Sequence, residues 1–182
     1  EVPIFCTVTI ETTGTMLVGS DIAAAVTVLE HAGVRVTIPA QTCCGMPNMD
    51  TGDLERVREK ARYNVASLAE AVRRGMTVVA PGPSCSMTLK REYPEILQTP
   101  DSRLVAEHTM DLMEYLWKLW REKKMPKEFP RPLGSVAYHA ACHLRAQRIS
   151  YPGKLLLERV PDTEVTLVEQ CSAVAGTWGM KA

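Results

Sequence analysis

Six cysteines are the residues of this 182-residue chain whose type and spacing could support chemistry: Cys6, Cys43, Cys44, Cys85, Cys142 and Cys171. A disulfide between the adjacent pair would be strained and could not close a long loop. The first residues also lack the charged and apolar regions of an export signal. Outside oxidising compartments, cysteines serve more often as metal ligands or redox groups. The pattern therefore favours metal or redox use over a disulfide framework.

Four converging thiolates would be soft ligands that suit an iron–sulfur cluster or zinc. Gly45 follows the Cys43-Cys44 pair, and a glycine there lets the backbone approach a bulky inorganic core. An isolated cysteine is more often a small buried core residue, but the pair and the matching positions of the other cysteines favour ligation. His143, beside Cys142, could bind metal, relay a proton or simply donate to the backbone.

The elements that must position these cysteines alternate between strand and helix patterns. Apolar, β-branched runs predict strands at residues 2–8, 34–38, 76–80, 135–139 and 165–168. Helical periodicity predicts helices at residues 21–32, 54–72, 102–123 and 154–160, and a short helix that ends before Pro94. This order predicts an α/β fold with parallel sheets flanked by helices. Each cysteine lies at or after a predicted strand, so we expect a metal site at the C-terminal ends of the strands.

The order strand, cysteine, helix, strand, cysteine occurs twice, which indicates two duplicated half-domains. We expect the first half-domain, with its covering helix, at residues 1–124. A proline-rich linker at 125–132 leads to the second half-domain at residues 133–182. The second copy stops after its second cysteine position, so we expect it to be incomplete at its C-terminus.

Composition narrows the classes of function. The net charge is zero and aromatic residues make up 5% of the chain, so nucleic acid is not an expected partner. No apolar run is long enough to span a membrane, and no Gly-x-Gly-x-x-Gly motif supports dinucleotide binding. We expect a cytoplasmic protein, either free or peripheral on the cytoplasmic face of a membrane.

The cysteine order resembles the cysteine-rich "CCG" domain that occurs in heterodisulfide reductase, in anaerobic glycerol-3-phosphate dehydrogenase and in related iron–sulfur subunits. The likeness to the glycerol-3-phosphate dehydrogenase branch is carried by Cys43-Cys44-Gly45-Met46-Pro47, Pro83-Ser84-Cys85, Tyr138-His139, Cys142-His143 and Ala175-Gly176-Thr177-Trp178-Gly179. It covers nearly the whole chain. The resemblance implies that Cys6, Cys43, Cys44 and Cys85 bind an iron–sulfur cluster, of the 4Fe-4S type, with zinc as the alternative. It also implies a second metal site at Cys142, Cys171 and His143.

The chain departs from the family pattern in three places. The family motif ends in Cys-x-x-Cys, whereas Gly82-Pro83-Ser84-Cys85 keeps only the second cysteine, which favours a four-thiolate first site. Ser172-Ala173 replaces the Cys-Gly of the second copy, whose third ligand segment is missing. The second site is therefore expected to be empty, to hold zinc or to be completed by residues outside this chain.

The resemblance implies an electron-transfer subunit without catalysis of its own. A flavoprotein dehydrogenase of the hydroxy-acid or glycerol-3-phosphate type would supply electrons. A ferredoxin-like segment and a membrane subunit that reacts with quinone would be the other partners. Two alternatives remain open: a heterodisulfide or thiol-disulfide reductase subunit, and a zinc-stabilised interaction module.

Overall fold

A computed structural model describes residues 2–3, 15–125, 129 and 131–171, with side chains described from residue 22 onward. Within these residues, six short strands pair in parallel, two by two: β1 (Val2–Pro3) with β2 (Val36–Thr37), β3 (Val78–Ala80) with β4 (Thr109–Asp111), and β5 (Gly134–His139) with β6 (Thr163–Val168). Helices form the rest of the regular structure: α1 (Thr15–His31), α2 (Met46–Asp50), α3 (Leu54–Arg73), α4 (Pro83–Met87), α5 (Tyr93–Leu97), α6 (Pro100–Glu107), α7 (Leu112–Arg121), α8 (Cys142–Gln147) and α9 (Pro152–Leu157). The predicted α/β fold with parallel sheets and flanking helices is confirmed.

Helix α3 organises the first half of the chain. Its start is fixed by Asp53, whose carboxylate accepts a hydrogen bond from the Arg56 backbone N–H at 3.1 Å. After its last residue the chain turns at Gly75, whose φ of +84° suits a residue without a Cβ. One face of the helix is buried, as the periodicity predicted: Val57, Ala61, Asn64, Val65, Leu68, Ala69, Ala71 and Val72.

Strand β3 is buried on both faces and separates two apolar clusters. Side chains alternate along a strand, so Val78 and Ala80 pack with α3, while Val79 faces the other side. The first cluster also contains Leu89, Tyr93 and Val105. The second joins β3 to α1 and α7 through Ala25, Leu29, Leu112, Leu116 and Leu119. The fully buried β3 is the pattern expected of a strand covered by helices.

Two predicted helices were wrong in detail. Residues 102–123 are not one helix: α6 ends at Glu107, and β4 separates it from α7. The cause is a capping box, because the Asp111 side chain caps the start of α7 while the Glu114 side chain bonds back to the Asp111 N–H at 3.2 Å.

The short helix after Cys85 does not end before Pro94 either. It continues as a wider π-helical turn at Thr88–Glu92 and then as α5, which contains Pro94. Proline lacks the N–H needed for a regular helical bond, and a π-turn rearranges the bonding around it.

The other predicted elements agree with the structure apart from their ends, but the short helices α2 and α8 were not predicted. The predicted strand at 2–8 is described only at Val2–Pro3, and residues 126–128 and 130 of the predicted linker lie outside the described residues. The half-domain boundaries at 124 and 133 stay a prediction. None of the helices in the described ranges is both long enough and apolar enough to cross a membrane.

Candidate metal centre

Three cysteines of the first half come together from two segments of the chain, a loop and a short helix. Cys43 and Cys44 precede α2, and Cys85 lies in α4, just after β3. The Cys85 thiol donates to the Cys44 sulfur with the two Sγ atoms 3.6 Å apart. Cys44 and Cys85 are buried, with exposed fractions of 2% and 5%, whereas Cys43 is half-buried. The loop before α2 and helix α4 therefore form one thiol site at the edge of the first apolar cluster.

The backbone around the cysteine pair is shaped by Gly45. Its φ of +87° lies in the left-handed region, which a glycine adopts without steric cost. The Gly45 N–H points back to the Cys43 sulfur at 3.5 Å, and the Gly45 carbonyl accepts the first bonds of α2 from the N–H groups of Asn48 and Met49. This turn brings two consecutive sulfurs toward the interior.

A buried clamp of Asn64 and Tyr93 holds the same loop. The Asn64 side chain accepts from the Thr42 N–H at 2.8 Å and donates to the Thr42 carbonyl at 3.2 Å. It also donates to the Tyr93 hydroxyl at 2.9 Å, and that hydroxyl donates to the Cys44 carbonyl at 3.0 Å. Both clamp side chains are fully buried. Fully satisfied buried polar networks fix a unique backbone geometry.

Hydrogen bonds among the thiols shift the pKa values of Cys43 and Cys44 in opposite directions. The hydrogen bond from Cys43 lowers the pKa of the Cys44 thiol, and the bond from Cys85 lowers it further. The same bond to Cys44 raises the pKa of the Cys43 thiol, as does burial, while the charge of Lys60 opposes the rise. Between these two adjacent residues, Cys44 is therefore the one more readily held as a thiolate, the form that binds metal.

Side chains of the second half bond to α4, the helix that carries Cys85. Helix α8 places His143 Nδ1 2.7 Å from the Ser84 hydroxyl. The Gln147 amide donates to the Pro83 carbonyl at 3.1 Å and to the Ser86 hydroxyl at 2.9 Å. The Ser86 hydroxyl in turn donates to the buried Asp111 carboxylate at 3.1 Å. The position of Cys85 therefore depends on both halves of the chain.

The other predicted ligands are not gathered in the same way. Cys142 begins α8 and Cys171 follows β6, and both are exposed. Cys6 lies outside the described residues. Among residues that the structure describes, no set of three or more His, Cys, Asp or Glu side chains is arranged to hold a metal ion, and the five described cysteines form no disulfide.

The donor set nevertheless fits a thiolate-bound metal. Two sulfurs on one tetrahedral ion, each about 2.3 Å from it, would lie about 3.8 Å apart, close to the 3.6 Å between Cys44 and Cys85. Cys43, Cys44 and Cys85 would likewise supply thiolates to an iron–sulfur cluster, which is held by cysteine sulfur.

Sequence reasoning missed the clamp and the contacts of α8. A signal for Asn64 was present, because it is a polar residue on the apolar stripe of α3, three residues after Ala61 and four before Leu68. A buried amide in that position requires hydrogen-bond partners. Nothing comparable marked Gln147 or the role of Tyr93.

Comparison with known proteins gives the same cysteine-rich family. Residues 21–90 match the CCG family, described as a cysteine-rich domain. An anaerobic glycerol-3-phosphate dehydrogenase subunit of Escherichia coli (strain K12) is 34% identical over 157 residues, which cover 85% of this chain and 39% of that protein. Lactate utilization protein A of Geobacillus thermodenitrificans is 30% identical over 168 residues, which cover 87% of this chain and 67% of that protein. The chain thus spans only about two fifths of the first relative. No solved structure matches it.

Proposed function

Because the chain belongs to the cysteine-rich CCG domain family, we propose that it is a redox subunit that binds an iron–sulfur cluster and passes electrons within a larger oxidoreductase. The observation that carries the proposal is the convergence of Cys43, Cys44 and Cys85, from the loop before α2 and from α4, at the edge of one buried apolar cluster. The loop of the cysteine pair is fixed by buried hydrogen bonds from Asn64 and Tyr93, and such polar support around buried thiols fits a metal centre better than ordinary core packing.

The ligands would be Cys43, Cys44 and Cys85, with Cys6 as the fourth thiolate. The centre, when bound, would supply one-electron chemistry at a potential set by burial and by hydrogen bonds to sulfur. This chain would contribute a low-polarity pocket, a loop fixed by Asn64 and Tyr93, and an N–H group at Gly45 directed at sulfur.

The names of the relatives support a proposal for the pathway in which the protein works. The curated relatives are named as part of a glycerol-3-phosphate dehydrogenase and as a lactate utilization protein. We propose that a flavoprotein dehydrogenase of this kind supplies electrons, and that a ferredoxin-like segment and a membrane subunit pass them toward quinone. The protein would then work in the cytoplasm, at the inner face of the membrane.

Protein purified without oxygen tests the proposal directly. We expect iron and sulfide in the sample, visible absorption that bleaches on reduction, and an electron paramagnetic resonance signal from one redox state. The Cys85→Ser variant should lose most of the metal, because ligation contributes folding free energy. The Cys171→Ser variant serves as the matched control and should keep the metal. Equal metal content in the two variants would contradict the proposed ligand set.

A zinc-stabilised module is the second candidate, favoured by one specific observation. The 3.6 Å separation of the Cys44 and Cys85 sulfurs is close to the value of about 3.8 Å for two thiolates on a single tetrahedral zinc. A colourless protein that contains zinc and no sulfide would decide for this candidate and against electron transfer.

A further inference from the structure

Cys43 marks the side of the thiol site that faces solvent. It is half-buried, whereas Cys44 and Cys85 are almost fully covered. An electron partner that must come close to a centre bound by these sulfurs would therefore approach from the Cys43 side. This step rests on the proposed function.

A groove of about 360 Å³ opens beside that edge. It is bounded by the residue before the cysteine pair and by the outer face of α3, and its lining residues are Thr42, Arg56, Glu59, Lys60 and Tyr63. The helix residues lie on successive turns, so they form one continuous face. Tyr63 is 55% exposed. Tyrosine and arginine are enriched in protein interfaces.

The groove is positively charged within a chain that has no net charge. Arg56 forms an ion pair with Glu59 at 3.2 Å, and both side chains are exposed. Lys60 has no carboxylate partner within the described part of the chain. Its stem lies against Gly45, with Cδ 3.5 Å from the place that a Cβ would take there. Because Arg56 is paired with Glu59, the lining carries one net positive charge, that of Lys60, whose stem lies against Gly45 beside the cysteine pair.

We propose that this basic groove, formed by Thr42, Arg56, Glu59, Lys60 and Tyr63, is the docking surface for an acidic patch on the protein that exchanges electrons with the thiolate centre. Aspartate or glutamate side chains of the partner would pair with Lys60 and Arg56, and its apolar atoms would pack on Tyr63. Complementary charge steers such encounters and fixes their orientation. The open form of the groove suits side chains of a protein partner.

Alkylation of the metal-free protein tests the charge of the groove without any need for a cluster. The rates at which negatively charged iodoacetate and neutral iodoacetamide modify Cys43 are measured by peptide mass spectrometry. The ratio of the iodoacetate rate to the iodoacetamide rate does not depend on the fraction of Cys43 present as thiolate. We expect the double variant Arg56→Glu with Lys60→Glu to lower this ratio about fivefold at moderate salt, because negative charge in the groove repels the anionic reagent and leaves the neutral one unaffected. The ratio at exposed Cys142 should not change.

Arg58 and Arg62 provide a matched control on the same helix. Both are exposed and neither lines the groove, so the double variant Arg58→Glu with Arg62→Glu has the same net charge as the first variant. It should change the Cys43 ratio much less. An equal effect of the two double variants would overturn the assignment of the groove. Lys60→Gln is a milder variant and should give a smaller change in the same direction.

Docking itself is tested with an oligoglutamate peptide as the probe. The peptide should slow iodoacetamide modification of Cys43, oligolysine should not, and the protection should disappear in the Arg56→Glu, Lys60→Glu variant. Protection by free glutamate at the same carboxylate concentration would indicate a small-anion site and refute a docking surface. Absence of protection by the peptide would also refute it. A protein that fails to assemble any cluster would defeat the proposed function and leave these results interpretable.

Discussion

The clamp of Asn64 and Tyr93 makes the sharpest prediction, because it joins the stability of the fold to the geometry of the thiol site. Replacing Asn64 with leucine keeps a similar volume but removes both partners of the Thr42 backbone, which lie 2.8 and 3.2 Å away. Each of these two backbone groups would lose a bond worth about 1 to 1.5 kcal/mol. We therefore expect the free energy of unfolding to fall by about 2 to 3 kcal/mol.

Tyr93→Phe should cost less. It removes only the hydroxyl that donates to the Cys44 carbonyl and accepts from Asn64, so the expected loss is about 1.5 kcal/mol. Because the two residues share a hydrogen bond, the losses should not add. The double variant should be about 1 kcal/mol more stable than the sum of the single effects predicts.

Two measurements are needed, since the clamp is assigned two roles. Urea unfolding of the metal-free protein gives the stability of each variant, and competition with a coloured chelator gives the affinity for zinc as a test metal. Affinity should fall about tenfold or more, as is typical when residues that support metal ligands are removed. Tyr63→Phe is the control, because Tyr63 is 55% exposed on the same helix and should change neither value.

Either of two results would contradict a role assigned to Asn64. If Asn64→Leu leaves the free energy of unfolding within about 0.5 kcal/mol of the parent, the hydrogen bonds do not carry the stability assigned to them. If stability falls as expected but zinc affinity stays the same, Asn64 supports the fold alone and does not position the cysteine pair.

Three further changes test other parts of the site. Gly45→Ala should cost about 1 to 2 kcal/mol in urea unfolding and reduce metal content, because the left-handed backbone at φ +87° is strained for alanine. Burial raises the pKa of the Asp111 carboxyl, so the folded state binds more protons there and stability should decline as pH rises from acid through that raised pKa. Asp111→Asn keeps a residue that can cap a helix, and unfolding measured across pH should lose this decline. Gln147→Leu should lower the free energy of unfolding by about 1 to 2 kcal/mol, because the Gln147 amide donates to the Pro83 carbonyl and the Ser86 hydroxyl in the helix that carries Cys85. It should also weaken zinc binding measured by chelator competition.

Local patterns in the sequence predicted the elements where one signal dominated. The apolar stripe of α3, which ends near Gly75, and the β-branched run of β6 were placed correctly. The break at Thr109–Asp111 was missed because the periodicity of residues 102–123 continues across it. The capping pair Asp111 and Glu114 was the signal that could have revealed the break. Periodicity reports a buried face, not whether the chain reverses between two helices that share it.

The candidate site was predictable in part for the same physical reason. The types and order of Cys43, Cys44 and Cys85 indicated a common centre, and the structure brings them together. Their supports depend on contacts between distant segments: Asn64 reaches Thr42 across 22 positions, and Gln147 reaches Ser86 across 61 positions. No local pattern encodes such pairs. A single sequence shows only that a buried amide must find partners, not which ones.

The two halves contribute to the site in different ways. The first half supplies the described sulfurs near one another, together with the clamp that fixes the Cys43-Cys44 loop. The second half supplies α8, which bonds to Ser84 and Ser86 on either side of Cys85. The predicted second half-domain, which lacks part of its own ligand pattern, therefore still stabilises the site of the first. Loss of α8 should leave the Cys43 loop in place but remove the hydrogen bonds that hold α4, the helix that carries Cys85. We therefore expect metal binding and the packing of the two halves to depend on each other.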